Sequence, residues 1–193
     1  MKKLILLIAL IPLCCIAQTI NKSMFFDGIE REYIVYIPSS YDGSMNVPVM
    51  FNFHGGSGFA SDHMLVNDMR PIADTAEFIA VYPQGAVDYE GADDGNTPST
   101  SWLHKAPTNH NDVNFIAAII DTLSAEYLID EDRVYACGYS EGAIFTVPLF
   151  ITQEGKHARS IFRSSSISAL KLLSLRPIPF ASPVIIYWSS VIS

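Results

Sequence analysis

Positive charge is scarce in this chain. Twelve Lys and Arg stand against twenty Asp and Glu, for a net charge of -8. Nucleic acids and anionic bilayers are recognised by basic patches, so neither is an expected partner. Long apolar runs are also missing. Leu4 to Leu13 is the longest, and it falls short of the roughly 18 residues a spanning helix needs. Cysteine is limited to Cys14, Cys15 and Cys137, too few for a disulfide scaffold. Internal repeats and heptads are absent, and neither a nucleotide-binding loop nor a metal-ligand cluster can be found. His104 and His110 lack companion ligands at metal spacing and read as solvated loop residues. No cofactor is therefore expected. What remains is 49% apolar and only 17% charged over 193 residues, a globular composition long enough for one domain with a real core.

The N-terminus indicates a compartment. Lys2 and Lys3 precede the apolar run, and Cys15-Ile16-Ala17 places small residues at the -3 and -1 positions of a cleavage site. Residues 1–17 thus read as a secretory signal, with Gln18 first in the mature chain. A lipoprotein anchor on Cys14 or Cys15 is the alternative, but Leu13 and Cys14 fit poorly where such a site wants a small residue. The expected location is extracellular or periplasmic, and on the secretory reading no membrane partner remains after signal cleavage. Only Cys137 then remains, so no internal disulfide can form. Its apolar strand context predicts a buried small hydrophobe rather than a reactive thiol.

The order of elements predicts an α/β fold with a mostly parallel sheet and flanking helices, incomplete at its C-terminal end. Glu32 to Ile37 alternates as a strand, with Tyr33, Val35 and Ile37 on one face. Val47 to Phe53 is nearly continuously apolar, as suits a strand buried on both faces, and stops at His54-Gly55-Gly56-Ser57-Gly58. A helix ending near Glu77 should follow, then a strand from Phe78 to Tyr82 closed by Pro83. Gln84 to Asn111 reads as a long polar loop carrying Trp102. Asn111 or Asp112 should cap a helix with Val113, Ile116, Ala117, Ile120, Leu123 and Tyr127 at helical spacing. Asp130-Glu131-Asp132 reads as a turn, and Arg133 to Cys137 as a strand running into Gly138.

Gly138-Tyr139-Ser140-Glu141-Gly142 matches the nucleophile-elbow pattern G-x-S-x-G. A strand that turns sharply into a helix projects the serine oxygen above the sheet edge, and glycines leave room where a Cβ would clash. The helix N-terminus adds positive partial charge near a developing oxyanion. The bland alternative is an ordinary strand-to-helix turn with an incidental serine. The turn at Gly55-Gly56 can supply one backbone donor to a carbonyl oxygen, and Glu141, following the serine, can supply the other. Losing one such donor typically costs about 3 to 4 kcal/mol of transition-state stabilisation. His54 is expected to orient the loop rather than act as a base.

Several segments occur in a familiar order: Phe53-His54-Gly55-Gly56, Val81-Tyr82-Pro83-Gln84-Gly85, Trp102, Asp112-Val113-Asn114-Phe115, Ile129-Asp130, Arg133-Val134-Tyr135 and Gly138-Tyr139-Ser140. Over roughly Glu32 to Ala143 the chain resembles the polyhydroxybutyrate depolymerase and feruloyl esterase family, the carbohydrate esterase family 1-like esterases. The resemblance implies an α/β-hydrolase fold, secretion, and hydrolysis of carboxylic esters on plant cell-wall polysaccharide such as xylan, or of polyester. It implies Ser140 as nucleophile and an oxyanion hole from Gly55 or Gly56 and Glu141. His54 and Trp102 are placed at the substrate cleft, although Trp102 could equally be a packing residue. Glu141-Gly142-Ala143 departs from the family, which usually carries Asn or Ala and then Gly-Gly, and so alters local charge.

A serine nucleophile needs a base, and the base an orienting acid. In this fold both should follow the serine, on loops after later strands. After Gly142 the only acid is Glu154 and the only histidine His157. Both fall in the segment expected beneath the elbow, so they are not expected to be the working partners. From Gly155 onward there is no acid, and serine and basic residues crowd in. Pro148 should interrupt the elbow helix early. Residues 18–146 therefore read as the N-terminal part of an esterase domain. Residues 147–193 read as an anomalous tail, from a shifted frame, a truncated gene or a diverged C-terminal region. The expected function is a secreted serine ester hydrolase, and its rival is a non-catalytic protein lacking the triad Asp and His, either an inactive fragment or a binding module that keeps the cleft.

Overall fold

The computed structural model describes residues 16–88, 99–102 and 111–152. Residues 1–15 of the proposed signal, His104, His110, Glu154, His157 and the tail beyond Thr152 lie outside these residues. Seven strands and four helices are described: β1 (Gln18–Phe26), β2 (Ile29–Ile37), β3 (Val47–Phe53), α1 (Ala60–Val66), α2 (Arg70–Ala76), β4 (Ile79–Pro83), β5 (Ala86–Asp88), β6 (Ser99–Ser101), α3 (Asp112–Glu126), β7 (Ile129–Gly138) and α4 (Glu141–Thr152). Five strands form one sheet in the order β1-β2-β4-β3-β7. β1 and β2 are an antiparallel hairpin, β2 meets β4 antiparallel, and β4, β3 and β7 are parallel.

Strand alternation sets the two faces. Tyr33, Val35 and Ile37 join Val49, Phe51, Phe53 and Val81 in one cluster, covered by Phe115, Ile119 and Leu123 of α3 and Phe145 and Leu149 of α4. Ile34, Tyr36, Ala80 and Tyr82 face the other way, against Ala60, Met64, Ala73 and Phe78. A parallel core buried on both faces is what the apolar run of β3 demands.

The structure departs from the expectations where local chemistry decides. The single helix predicted before Glu77 is two. Asp68 accepts from the Arg70 amide at 2.9 Å, and proline in the first turn of α2 favours a fresh start there. Glu77 then terminates α2 in the left-handed region. Asn111, not Asp112, caps α3, accepting from the Asn114 amide at 3.1 Å. The predicted turn at Asp130 to Asp132 lies within β7, where the pairing slips from Val47↔Ile129 to Val49↔Val134. Asp130 holds this irregularity by accepting from Asp132 N and Arg133 Nε. The long loop after Gln84 contains a small hairpin, β5 with β6. α4 continues past Pro148 to Thr152. Proline there removes the amide that would serve the Ile144 carbonyl, and Ile144 is exposed.

Candidate active site

β7 ends at Gly138, and α4 begins at Glu141, so Tyr139 and Ser140 make the whole turn. Ser140 takes φ 50°, the left-handed region, which costs a non-glycine residue of order 1–3 kcal/mol and persists only when the surroundings enforce it. The enforcement is visible. Tyr139 N donates to Phe53 O at 3.0 Å, and Ala143 N donates to Ser140 O at 3.0 Å. A Cβ at Gly138 would lie 2.6 Å from the Gly142 carbonyl carbon, and one at Gly142 would overlap the Phe53 and His54 carbonyl oxygens. Both glycines of the pattern are thus fixed by close backbone approach. Ser140 itself is exposed.

The structure brings the glycine pair to this serine. A Cβ at Gly55 would sit 3.4 Å from Ser140 Cβ, and one at Gly56 would collide with the Glu141 carboxylate. Within the loop, Ser57 N donates to Thr100 O at 2.8 Å and Gly58 N to Gly55 O at 3.1 Å. The amides of Gly55 and Gly56 are left as the loop's candidate donors. Glu141 is buried, and its carboxylate accepts from Ser101 Oγ at 2.6 Å. Its charge is therefore held against β6 and the loop.

His54 and Trp102 do not line a cleft. Each is 1% exposed, and together they form the underside of the glycine loop. His54 Nε2 accepts from Gly85 N at 2.9 Å, which places the ring proton on Nδ1, where it donates to Gly55 O at 2.6 Å. Burial pushes the His54 pKa below its ordinary value, so the ring stays neutral. With both nitrogens occupied, His54 positions the loop and cannot take the serine proton. Trp102 Nε1 donates to His54 O at 2.9 Å, and its ring stacks on Phe145 and meets Phe53 edge-on. The second described histidine, His63, is also committed. Its Nε2 faces Asn52 Oδ1 at 2.8 Å, and burial lowers its pKa to about 4.

Three supporting residues escaped the sequence reading of the site. Gln84 accepts from Ala60 N at 2.8 Å, capping α1, which has no capping side chain of its own, and its amide contacts His54 Nε2 at 3.1 Å and Gly58 O at 3.3 Å. Arg31 and Asp112 form a buried ion pair at 2.6 Å, each 2% exposed, that ties β2 to the start of α3. The Arg31 guanidinium lies over the Phe115 ring at 4.0 Å and reaches Gln84 O at 3.3 Å. Gln84 and Asp112 stand in the quoted motifs, which was the available signal. Arg31 carried none beyond a charge at an inward-facing strand position. Cys137 is buried and its thiol is pushed up to about 12, an inert packing residue as expected.

No protein-family model matches the chain. Over 129 residues, 67% of the chain, it is 30% identical to a bifunctional acetylxylan esterase/xylanase from Neocallimastix patriciarum, of which it covers 17%. Over 142 residues, 71% of the chain, it is 28% identical to a probable feruloyl esterase C from Aspergillus terreus, of which it covers 45%. The chain thus spans less than half the length of either relative. Among solved structures it superposes on the fluorophosphonate-binding serine hydrolase FphF of Staphylococcus aureus with a TM-score of 0.59 at 16% identity, over 86% of this chain and 64% of that one. A ferulic acid esterase gives a TM-score of 0.57 at 15% identity, over 78% and 58%.

Proposed function

Because the chain has the α/β-hydrolase fold and is related to acetylxylan and feruloyl esterases, we propose that it is a secreted serine hydrolase of carboxylic esters carried on plant cell-wall polysaccharide. The observation that carries the reading is the exposed, left-handed Ser140 set against the Gly55-Gly56 turn. Ser140 Oγ attacks the acyl carbon, and the carbonyl oxygen takes up negative charge. Amides of Gly55 or Gly56 and of Glu141 donate to that oxygen, as preorganised dipoles whose orientation is fixed before reaction. The tetrahedral species collapses as the sugar oxygen leaves with the proton that Ser140 Oγ gave up, releasing the sugar alcohol and leaving an acyl-serine. Water then adds to the acyl carbon, and the acid departs with Ser140 restored.

The base belongs to neither described histidine, since His54 and His63 are both held in structural hydrogen bonds. That observation favours one rival: a protein that keeps the cleft and does no chemistry. Treatment of the mature chain with a fluorophosphonate separates the two. Covalent labelling that Ser140→Ala abolishes, with turnover of p-nitrophenyl acetate, supports the hydrolase. An unlabelled wild-type chain that turns over nothing supports the rival. Feruloylated arabinoxylan against a polyhydroxyalkanoate distinguishes polysaccharide esters from polyester.

A further inference from the structure

A cavity of about 430 Å³ lies between the β1-β2 hairpin and the start of α1. Its lining includes Asn21, Lys22, Ser23, Glu32, Phe59, Ser61 and Gln84. Of these only Gln84 is part of the scaffolding of the loop. Asn21, Ser23, Glu32 and Ser61 are exposed polar side chains, able between them to donate and accept. Phe59 is 56% exposed at the start of α1, an apolar ring that caps nothing and packs into no core. β1 alternates so that Asn21, Ser23 and Phe25 share one face, and Phe25 is 80% exposed. The hairpin therefore presents hydroxyl, amide and carboxylate groups to the groove, with Phe59 lining it from the start of α1 and Phe25 further along the same strand face.

We propose that this groove binds the neutral sugar backbone of a xylan-type polysaccharide. The inference rests on the proposed function for its choice of ligand. A pyranose ring offers hydroxyls at its rim and C–H groups on its faces, which pair with side-chain polar atoms and with the electron-rich face of an aromatic ring. The charge excludes an anionic chain. Glu32 lines the groove, and Glu30 stands opposite Phe25 on the paired strand. Lys22 also lines the groove, but its ammonium is bound to Glu126 of α3. Polyuronates would meet like charge. The groove is coupled to the chemistry through Gln84, which lines it and also contacts His54 and Gly58. A bound main chain would thus touch a residue that also holds the glycine loop.

Affinity electrophoresis of the full mature chain through gels containing neutral arabinoxylan, polygalacturonate or no polysaccharide tests this without requiring turnover. Retardation is expected in arabinoxylan alone. Phe59→Ala should weaken it about tenfold, Glu32→Ala several-fold, and Ser140→Ala not at all. Because Phe59 is exposed, its loss should leave the far-UV circular dichroism unchanged. Ser61→Tyr, which fills the groove, provides a second variant. A wild-type chain that migrates equally in all three gels overturns the proposal, as does retardation that Phe59→Ala and Ser61→Tyr leave intact. A Phe59→Ala chain that changes its elution volume on gel filtration would mark the face as a contact between copies instead, and overturns it too. Retardation without fluorophosphonate labelling would uphold the groove while refuting the hydrolase.

Discussion

Gly142→Ala places a methyl group where the end of β3 already lies. Its Cβ would stand 2.7 Å from the Phe53 carbonyl carbon and closer still to the oxygens of Phe53 and His54. Ordinary carbon contacts lie at about 3.5–4.0 Å, so the elbow and the strand end must separate by about 1 Å. Neither side can yield cheaply. Tyr139 N is bonded to Phe53 O, and Trp102 Nε1 to His54 O. Overpacking of this kind costs about 1–3 kcal/mol, equivalent to a fall in Tm of roughly 3 to 10 °C for a domain of this size. The same displacement moves Ser140 relative to Gly55, and misplacement by about 1 Å can cost on the order of a hundredfold in rate. Gly28 supplies the control. It has φ +83° in the Asp27-Gly28 hairpin turn, with nothing within 4 Å of its would-be Cβ. Asparagine tolerates that conformation, so Gly28→Asn should cost under about 1 kcal/mol. Thermal unfolding by circular dichroism and the rate of fluorophosphonate labelling give the two readouts. If Gly142→Ala melts with the wild type and labels at the same rate, the tight elbow described here is wrong.

Acid should destabilise the fold through His63. Its pKa falls from 6.5 unfolded to about 4 folded, so the unfolded chain binds the proton more readily. The stabilising contribution is complete above about pH 6.5 and is lost as the pH falls towards 4, amounting to about 3 kcal/mol at most. Urea unfolding across that window should show a slope that His63→Gln flattens, and an unchanged slope would refute the assignment. Asp112→Ala should destabilise by about 3–5 kcal/mol, because it leaves the Arg31 guanidinium buried without its carboxylate. Arg31→Met with Asp112→Leu should recover much of that loss in a double-mutant cycle, and equal stability of the single and double variants would contradict it.

The parts of the fold governed by short-range pattern were legible. β2 and β3 followed from alternation and from an unbroken apolar run, and the elbow from two glycines around a serine. β1 was not legible because it is a half-exposed outer strand, where polar residues interrupt the alternation. The division into α1 and α2 turned on a local hydrogen bond from Asp68, which periodicity does not register. In α3 the apolar stripe predicted the helix, but Phe115 and Ile119 rather than Ala117 lie in the core. At the site, Ser140 and the glycine pair could be named because each is dictated by backbone geometry. His54 orients the loop as expected and Trp102 takes its packing alternative, so only their placement at the substrate cleft fails. Residue type suggests chemistry for both, whereas burial and hydrogen bonding assign them to support.

The glycine loop is built from distant stretches of sequence. Its ring anchor at His54 is closed by Gly85, its side by Gln84 and Thr100, and its underside by Trp102. As the chain leaves the ribosome, residues 54–58 therefore emerge long before anything can hold them. The amides acquire their aim only after position 102 has been made, and the serine joins them later still. Any variant that slows the docking of Gln84, Gly85 and Trp102 would thus yield a protein with its sheet formed and its reactive corner unset.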